Sequence, residues 1–191
     1  MKIGIYFGSF NPIHIGHLLI ASFVANHTDV QQVWLMVSPQ NPLKNSVGLL
    51  NEYQRLHLVN LAIEQDDAQI KSSDIEFKLP KPSFTVDTLI YLEEKYPQHQ
   101  FVLIMGSDSF QNINRWKNPD ILLQKYELII YQRPGYIVKE QHQAANIKIL
   151  KAPLLDISAT AIRKNIKEGK SIRYMLPEKV REEIEKSRYY R

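Results

Sequence analysis

Short apolar runs recur along the chain at Ile3 to Phe7, Gln32 to Ser38, Phe101 to Met105 and Glu127 to Tyr131. Briefer ones lie at Gln69 to Ser72 and Ile147 to Leu150. Each is too short for a helix and the right length for a buried strand. Ile75 to Leu79 reads as an extension of the third strand or an edge piece, closed by Pro80-Lys81-Pro82. Between these runs the apolar residues fall at helical spacing. Helices are predicted over about Ile15 to Asn26 and over Asn51 to Glu64, where Asn51 is the N-cap and Leu56, Val59 and Ile63 face inward. A third opens at Ser83-Phe84-Thr85, carries Val86, Leu89, Ile90 and Leu92, and ends before Pro97. Further helices are expected from Ser158 onward and from about Pro177 to Ser187. Phe110 to Pro119 reads as irregular or broken helix, and Tyr136 to Asn146 as an exposed loop or short helix. The strand–helix alternation predicts an α/β fold: a doubly wound, Rossmann-like parallel sheet of about five or six strands in a single domain, residues 1–191.

Composition narrows the classes. A chain of 191 residues, 44% hydrophobic and 23% charged, can bury a full core. It has no cysteine, which removes thiol catalysis, disulfides and cysteine-ligated zinc. The opening apolar run is short and ends in a loop, so it is no signal peptide, and no stretch approaches membrane-spanning length. A soluble, cytoplasmic protein is expected, without a membrane partner. The net charge of +4 gathers near the C-terminal end, where Lys164, Lys167, Lys170, Arg173, Lys179 and Arg181 mix with Glu168, Glu178, Glu182 and Glu183. That mixture describes a solvated helical face better than a polynucleotide-binding one, so no nucleic-acid partner is expected. Trp34, inside the second apolar run, is expected in the core.

The candidate chemistry sits at strand ends. After the first strand, Gly8-Ser9-Phe10-Asn11-Pro12 breaks the apolar pattern with turn formers, and His14 and His17 follow three residues apart. Residues at that spacing share a helix face, so both imidazoles can reach one anion beside the helix N-terminus. Near the other end, Ser158 and Thr160 offer hydroxyls at a helix start and Arg163 offers a bidentate fork, which together make an anion site. Gly106, ending the fourth strand, permits close backbone approach to a ligand, and Asp108 beyond it suits ribose hydroxyls or a helix N-cap. Asn41 and Lys44 lie in the loop after the second strand, a place that rims the crevice in open α/β sheets. Asp87 complements the dipole of the helix it opens.

The string GSFNPIHIGHL resembles the signature of the HIGH-motif nucleotidylyltransferases, and I-S-A-T-A-I-R from Ile157 to Arg163 is similar to their second signature. S-F-T-V-D-T-L from Ser83, Arg115-Trp116, and a lysine after the second strand extend the likeness to the nicotinate-mononucleotide adenylyltransferases. The resemblance covers nearly the whole chain through five motifs in the family's order. One departure is visible: Phe7 stands where the family usually has a glycine. The resemblance implies transfer of AMP from ATP to nicotinate mononucleotide, releasing pyrophosphate. It implies that Gly8, Ser9, Phe10, His14, His17, Gly106, Asp108, Ser158, Thr160 and Arg163 bind ATP, with His14, His17, Lys44 and Arg163 acting in catalysis. It further implies that Asn41, Lys44, Phe84, Thr85, Trp116 and Arg133 bind the mononucleotide. Mg²⁺ is expected, held through the ATP phosphates and water rather than by a protein cage. The helices from about residue 158 would complete the ATP site and cover the sheet. Pantetheine-phosphate adenylyltransferase shares the fold and both phosphate motifs, and a nucleotide-binding regulator without turnover is the alternative from another class. Oligomeric state is not legible in the sequence.

Overall fold

The computed structural model describes residues 1–40, 48–63, 68–133, 135–136, 138, 146–153 and 155–191. Its strands are β1 (Lys2–Gly8), β2 (Gln32–Val37), β3 (Ile70–Ser73), β4 (Gln100–Gly106), β5 (Glu127–Tyr131) and β6 (Ile147–Leu150). Its helices are α1 (Ile15–His27), α2 (Glu52–Ala62), α3 (Thr85–Lys95), α4 (Ser107–Phe110), α5 (Pro119–Lys125), α6 (Ala159–Lys167) and α7 (Glu178–Lys186). The strands form one sheet in the order β3-β2-β1-β4-β5-β6, every neighbouring pair parallel. The chain winds outward from β1 in one direction, then crosses back to lay β4 against the other side of β1. This is the doubly wound α/β fold the alternation predicts, with its switch point between β1 and β4.

Successive strand residues point to opposite faces, and here both sets are apolar, so the sheet carries two cores. Val33, Leu35, Val102, Ile104 and Ile129 face the layer built by α1, α2, α6 and α7. Ile3, Ile5, Leu103, Leu128 and Ile130 face the layer of α3 and α5. Most of these side chains are fully buried, each worth about 1.5–3 kcal/mol relative to exposure. Asn51 caps its helix as expected, and Ser158, expected at a phosphate, caps α6. Asn51 Oδ1 accepts the Tyr53 N–H at 2.9 Å, and Ser158 Oγ accepts the Ala161 N–H at 3.2 Å.

Three expectations change. Residues Ile75–Lys78 form a 3₁₀ turn rather than a strand extension, because Phe77 N–H and Leu79 N–H donate locally to Asp74 and Glu76 carbonyls instead of to a neighbouring strand. Helix α2 buries Leu58, Val59 and Arg55, while Leu56 and Ile63 are only partly buried. Trp34 is partly buried: its Nε1–H keeps Gln32 Oε1 at 3.2 Å, and its ring meets Tyr96 and Phe101 edge-on. Most of the stretch expected as an exposed loop, Tyr136 to Asn146, lies outside the described residues.

Candidate active site

At the carboxyl ends of β1 and β4 two cavities adjoin, of about 440 and about 270 Å³, sharing a wall of Tyr6, Phe7, Gly8, Ser9, Asp108 and Tyr131. The smaller has a basic, hydroxyl-bearing lining that includes His17, Arg133, Thr160 and Arg163. The larger has an aromatic one, with Phe84, Trp116 and Tyr136 beside Ser83 and Thr85. In the shared wall the Tyr6 and Tyr131 hydroxyls lie 3.2 Å apart.

The loop after β1 is fixed from several sides. Phe10 adopts a positive φ of 44° and tucks its ring over Gly8, where an added Cβ would come within 2.7 Å of that ring. A side chain at Gly8 would therefore displace the buried Phe10 ring. Phe7 lies in regular β1 pairing with Met36, so the backbone at the departed position has no need of glycine. Asn11 is buried. Its Nδ2 donates to the Gly48 carbonyl at 3.0 Å, and its Oδ1 accepts the Leu50 N–H at 3.2 Å and the Tyr190 hydroxyl at 2.9 Å. Beneath the loop lies Arg55, wholly buried, donating to the carbonyls of Leu50, Ser9, Ser38 and Pro39 at 2.7–2.8 Å. One guanidinium thus ties the end of β1 to the end of β2.

The two histidines play different parts. His14 is the N-cap residue of α1, and its ring stacks on His17 with centroids 3.7 Å apart. It is 5% exposed, its Nδ1 has no hydrogen-bond partner, and neither cavity touches it. Burial and the nearby Arg133 charge lower its pKa to about 4, so the ring is neutral at physiological pH. His17 lines the smaller cavity, and its Nδ1 accepts the His14 backbone N–H at 3.2 Å. That contact places the neutral ring's proton on Nε2, leaving a donor at the outer nitrogen. Of the two imidazoles expected at one anion, His17 lies on the cavity wall and His14 is packed behind it.

Arg163 reaches the cavity from α6, donating to the Asn11 carbonyl at 2.7 Å and to Thr160 Oγ1 at 3.3 Å. Thr160 lines the same cavity, whereas Ser158 serves as the helix cap. Asp108 lines both cavities, pairing with Arg133 at 3.2 Å while its Oδ1 is buried without a partner. Gly106 makes room for it: a Cβ there would collide with Asp108 Oδ1. Arg133, expected with the mononucleotide, lines the cavity of His17 and Arg163 instead. Phe84, Thr85 and Trp116 come together in the larger cavity, and Asp87 pairs with Lys117 at 2.8 Å. Asn41 and Lys44 lie outside the described residues.

Sequence reasoning passed over Arg55, Asn11, Tyr190 and Glu76. Arg55 left one trace, a charge three and four residues before the buried Leu58 and Val59 and so on the same helix face. Glu76 interrupts an otherwise apolar stretch between Ile75 and Phe77. Their partners lie on other elements, among them Ser9 and Ser38 for Arg55 and Thr88 for Glu76, so neither signal named a contact.

Switch-point crevice, loop and anion-suited cavity define a protein of the cytidylyltransferase-like class, whose family profile matches residues 5–165. Among its relatives, a probable nicotinate-nucleotide adenylyltransferase of Flavobacterium psychrophilum is 50% identical over 193 residues, covering 100% of both chains. One from Cytophaga hutchinsonii is 49% identical over 190 residues, 100% of this chain and 98% of the relative. The chain belongs to the family of nicotinate-nucleotide adenylyltransferases. The fold also matches the nicotinic acid mononucleotide adenylyltransferase of Plasmodium falciparum complexed with NaAD, at a TM-score of 0.83 and 20% identity, covering 99% of this chain and 97% of that one.

Proposed function

We propose that the protein transfers AMP from ATP to nicotinate mononucleotide, giving deamido-NAD and pyrophosphate in NAD synthesis. The observation that carries this reading is the pair of cavities joined at one wall, one basic and hydroxyl-bearing, the other aromatic. A triphosphate suits the first and a planar pyridine ring the second, so their phosphates meet at Gly8 and Ser9.

The acceptor phosphate is a nucleophile at neutral pH. Its oxygen attacks the α-phosphorus in line, the bond to the α–β bridging oxygen breaks, and pyrophosphate leaves with the electron pair. No general base is required, so the protein contributes positioning and charge neutralisation. His17 Nε2–H donates to the polyphosphate, and His14 holds the ring of His17 in place. Arg163 and Thr160 bind the β- and γ-phosphates from the start of α6. Trp116 and Phe84 pack on the pyridine ring, and backbone N–H groups near Thr85 receive its carboxylate. Mg²⁺ arrives with ATP, and among the described residues no group of three or more His, Cys, Asp or Glu forms a dedicated cage. Asp108, which lines both cavities, is the carboxylate that would meet it or a ribose hydroxyl. Held with the phosphates, the ion would supply charge neutralisation for the departing pyrophosphate.

The test is turnover with ATP and Mg²⁺, following pyrophosphate release, with nicotinate and nicotinamide mononucleotides side by side. A carboxamide turns an NH₂ toward at least one backbone donor, leaving a buried group unpaired at roughly 1–3 kcal/mol. The acid is expected to exceed the amide in kcat/KM by at least about tenfold. Equal efficiency, or preference for the amide, would refute the nicotinate assignment. Trp116→Ala is expected to weaken both acceptors and leave ATP binding nearly intact.

A further inference from the structure

Among the described residues Glu76 is the one carboxylate in the buried set, 2% exposed, and it lines the larger cavity together with Ser38 and Ser83. Its Oε1 lies 2.7 Å from Thr88 Oγ1, and that hydroxyl lies 3.2 Å from the Phe84 carbonyl. Thr88 has a single proton to give. It goes to Glu76 Oε1 over the shorter contact, one donor for a carboxyl that can accept several. Glu76 Oε2 is buried without a partner, as is Ser83 Oγ. An ionised carboxylate seeks several donors at once, and this pocket meets it with few.

The groups facing the carboxyl are hydroxyls: Thr88 from α3, Ser83 from the segment before it, and Ser38 from the end of β2. Of the basic side chains on the surrounding elements, Arg115 lines the same cavity, while three lysines and Arg55 are engaged elsewhere. Lys78 pairs with Asp74, Lys81 with Glu52 and Lys117 with Asp87, and Arg55 donates to backbone carbonyls. Burial pushes the Glu76 carboxyl above the usual carboxylate range, so the neutral acid persists to higher pH than on a surface.

We infer that Glu76 determines acceptor specificity by its charge: as the neutral acid it admits a ring that bears a carboxylate, and once ionised it disfavours that ring relative to the neutral amide. The inference rests on the acceptor reading of the larger cavity given above. Both mononucleotides carry the same cationic pyridine and the same phosphate, so only the ring substituent responds differently to a negative charge in the wall. A unit charge appearing in a half-screened cavity acts on a second one at several ångströms strongly enough to show in relative rates.

The experiment measures kcat/KM for nicotinate and nicotinamide mononucleotides in parallel from about pH 5.5 to about pH 8.5, a range that begins above the ordinary carboxyl pKa. Titration of the shared phosphate, and of groups acting equally on both acceptors, cancels in the acid-to-amide ratio. In the wild type that ratio is expected to fall by at least about fivefold as pH rises. In Glu76→Gln, which keeps the shape and cannot ionise, it is expected to stay high and flat. A flat wild-type ratio, or a wild-type slope that persists in Glu76→Gln, overturns the inference. The wild-type profile decides alone if the variant does not fold. Absence of turnover with either acceptor would instead strike the proposed reaction, and the same ratio read from dissociation constants would still test Glu76.

Discussion

Replacing Arg55 with methionine keeps the length and apolar stem of the side chain and deletes the guanidinium. Four carbonyls, those of Leu50, Ser9, Ser38 and Pro39, lose a charged donor at 2.7–2.8 Å. A buried acceptor left unpaired costs about 1–3 kcal/mol. Ser9 and Ser38 line the larger cavity, so water can replace their lost donor, whereas Pro39 is buried. Relief from burying a cation offsets part of the loss. Summed over the four carbonyls and reduced for those that water reaches, the net loss is about 3–5 kcal/mol. Taking the lower figure, a domain of this size should melt about 6–12 °C lower, at about 2–4 °C per kcal/mol. Calorimetry of wild type, Arg55→Met and Arg55→Lys reads this directly. Lysine keeps the charge and cannot fork across two strand ends, so it should recover less than half of the loss. A drop below about 3 °C for Arg55→Met, about 1 kcal/mol, would refute the claim that this residue clamps the loop.

His14 supplies a pH dependence. Its folded pKa of about 4 lies below the ordinary 6.5, so the unfolded chain binds the proton first as pH falls. Stability is therefore full above about pH 6.5 and drops by about 3 kcal/mol on the way to pH 4, a slope that denaturation of His14→Gln should lack. For His17→Ala, kcat should fall by a factor on the order of 10²–10³ with smaller changes in substrate binding, and near-normal turnover in the folded variant would remove it from the mechanism. Arg163→Lys keeps the charge and loses the fork, so kcat/KM for ATP should still fall, measured at saturating acceptor.

The sheet was legible because parallel strands buried on both faces leave runs such as Phe101 to Met105 that admit few other readings. The strand–loop–helix corner after β1 was legible because strand, small-residue loop and histidine spacing occur consecutively. Contacts between distant residues were not. Arg55 reads locally as one more helix residue, and its task appears only when Ser9 and Ser38 fold onto it. His14 and His17 look equivalent in sequence, and only the cap geometry sends one ring inward and the other to the cavity. Arg133 follows the β5 strand end, and its pairing with Asp108 draws it toward the phosphate side. Ile75 to Leu79 was apolar enough for a strand, yet its amides close on their own neighbours.

The contact between Tyr190 and Asn11 joins residues 179 positions apart, and the ribosome delivers them in order. At roughly 5–20 residues per second, Asn11 emerges roughly 9–36 s before the tyrosine that anchors it. Strand β1 waits as well, since β4, its partner on one side, begins at Gln100. During synthesis the signature loop therefore exists for most of the time as unfinished chain, with the Tyr190 hydroxyl and the Arg163 tether still to come. Nucleotide-binding geometry is a property the molecule acquires only after both halves of the sheet have met and Tyr190 has been added.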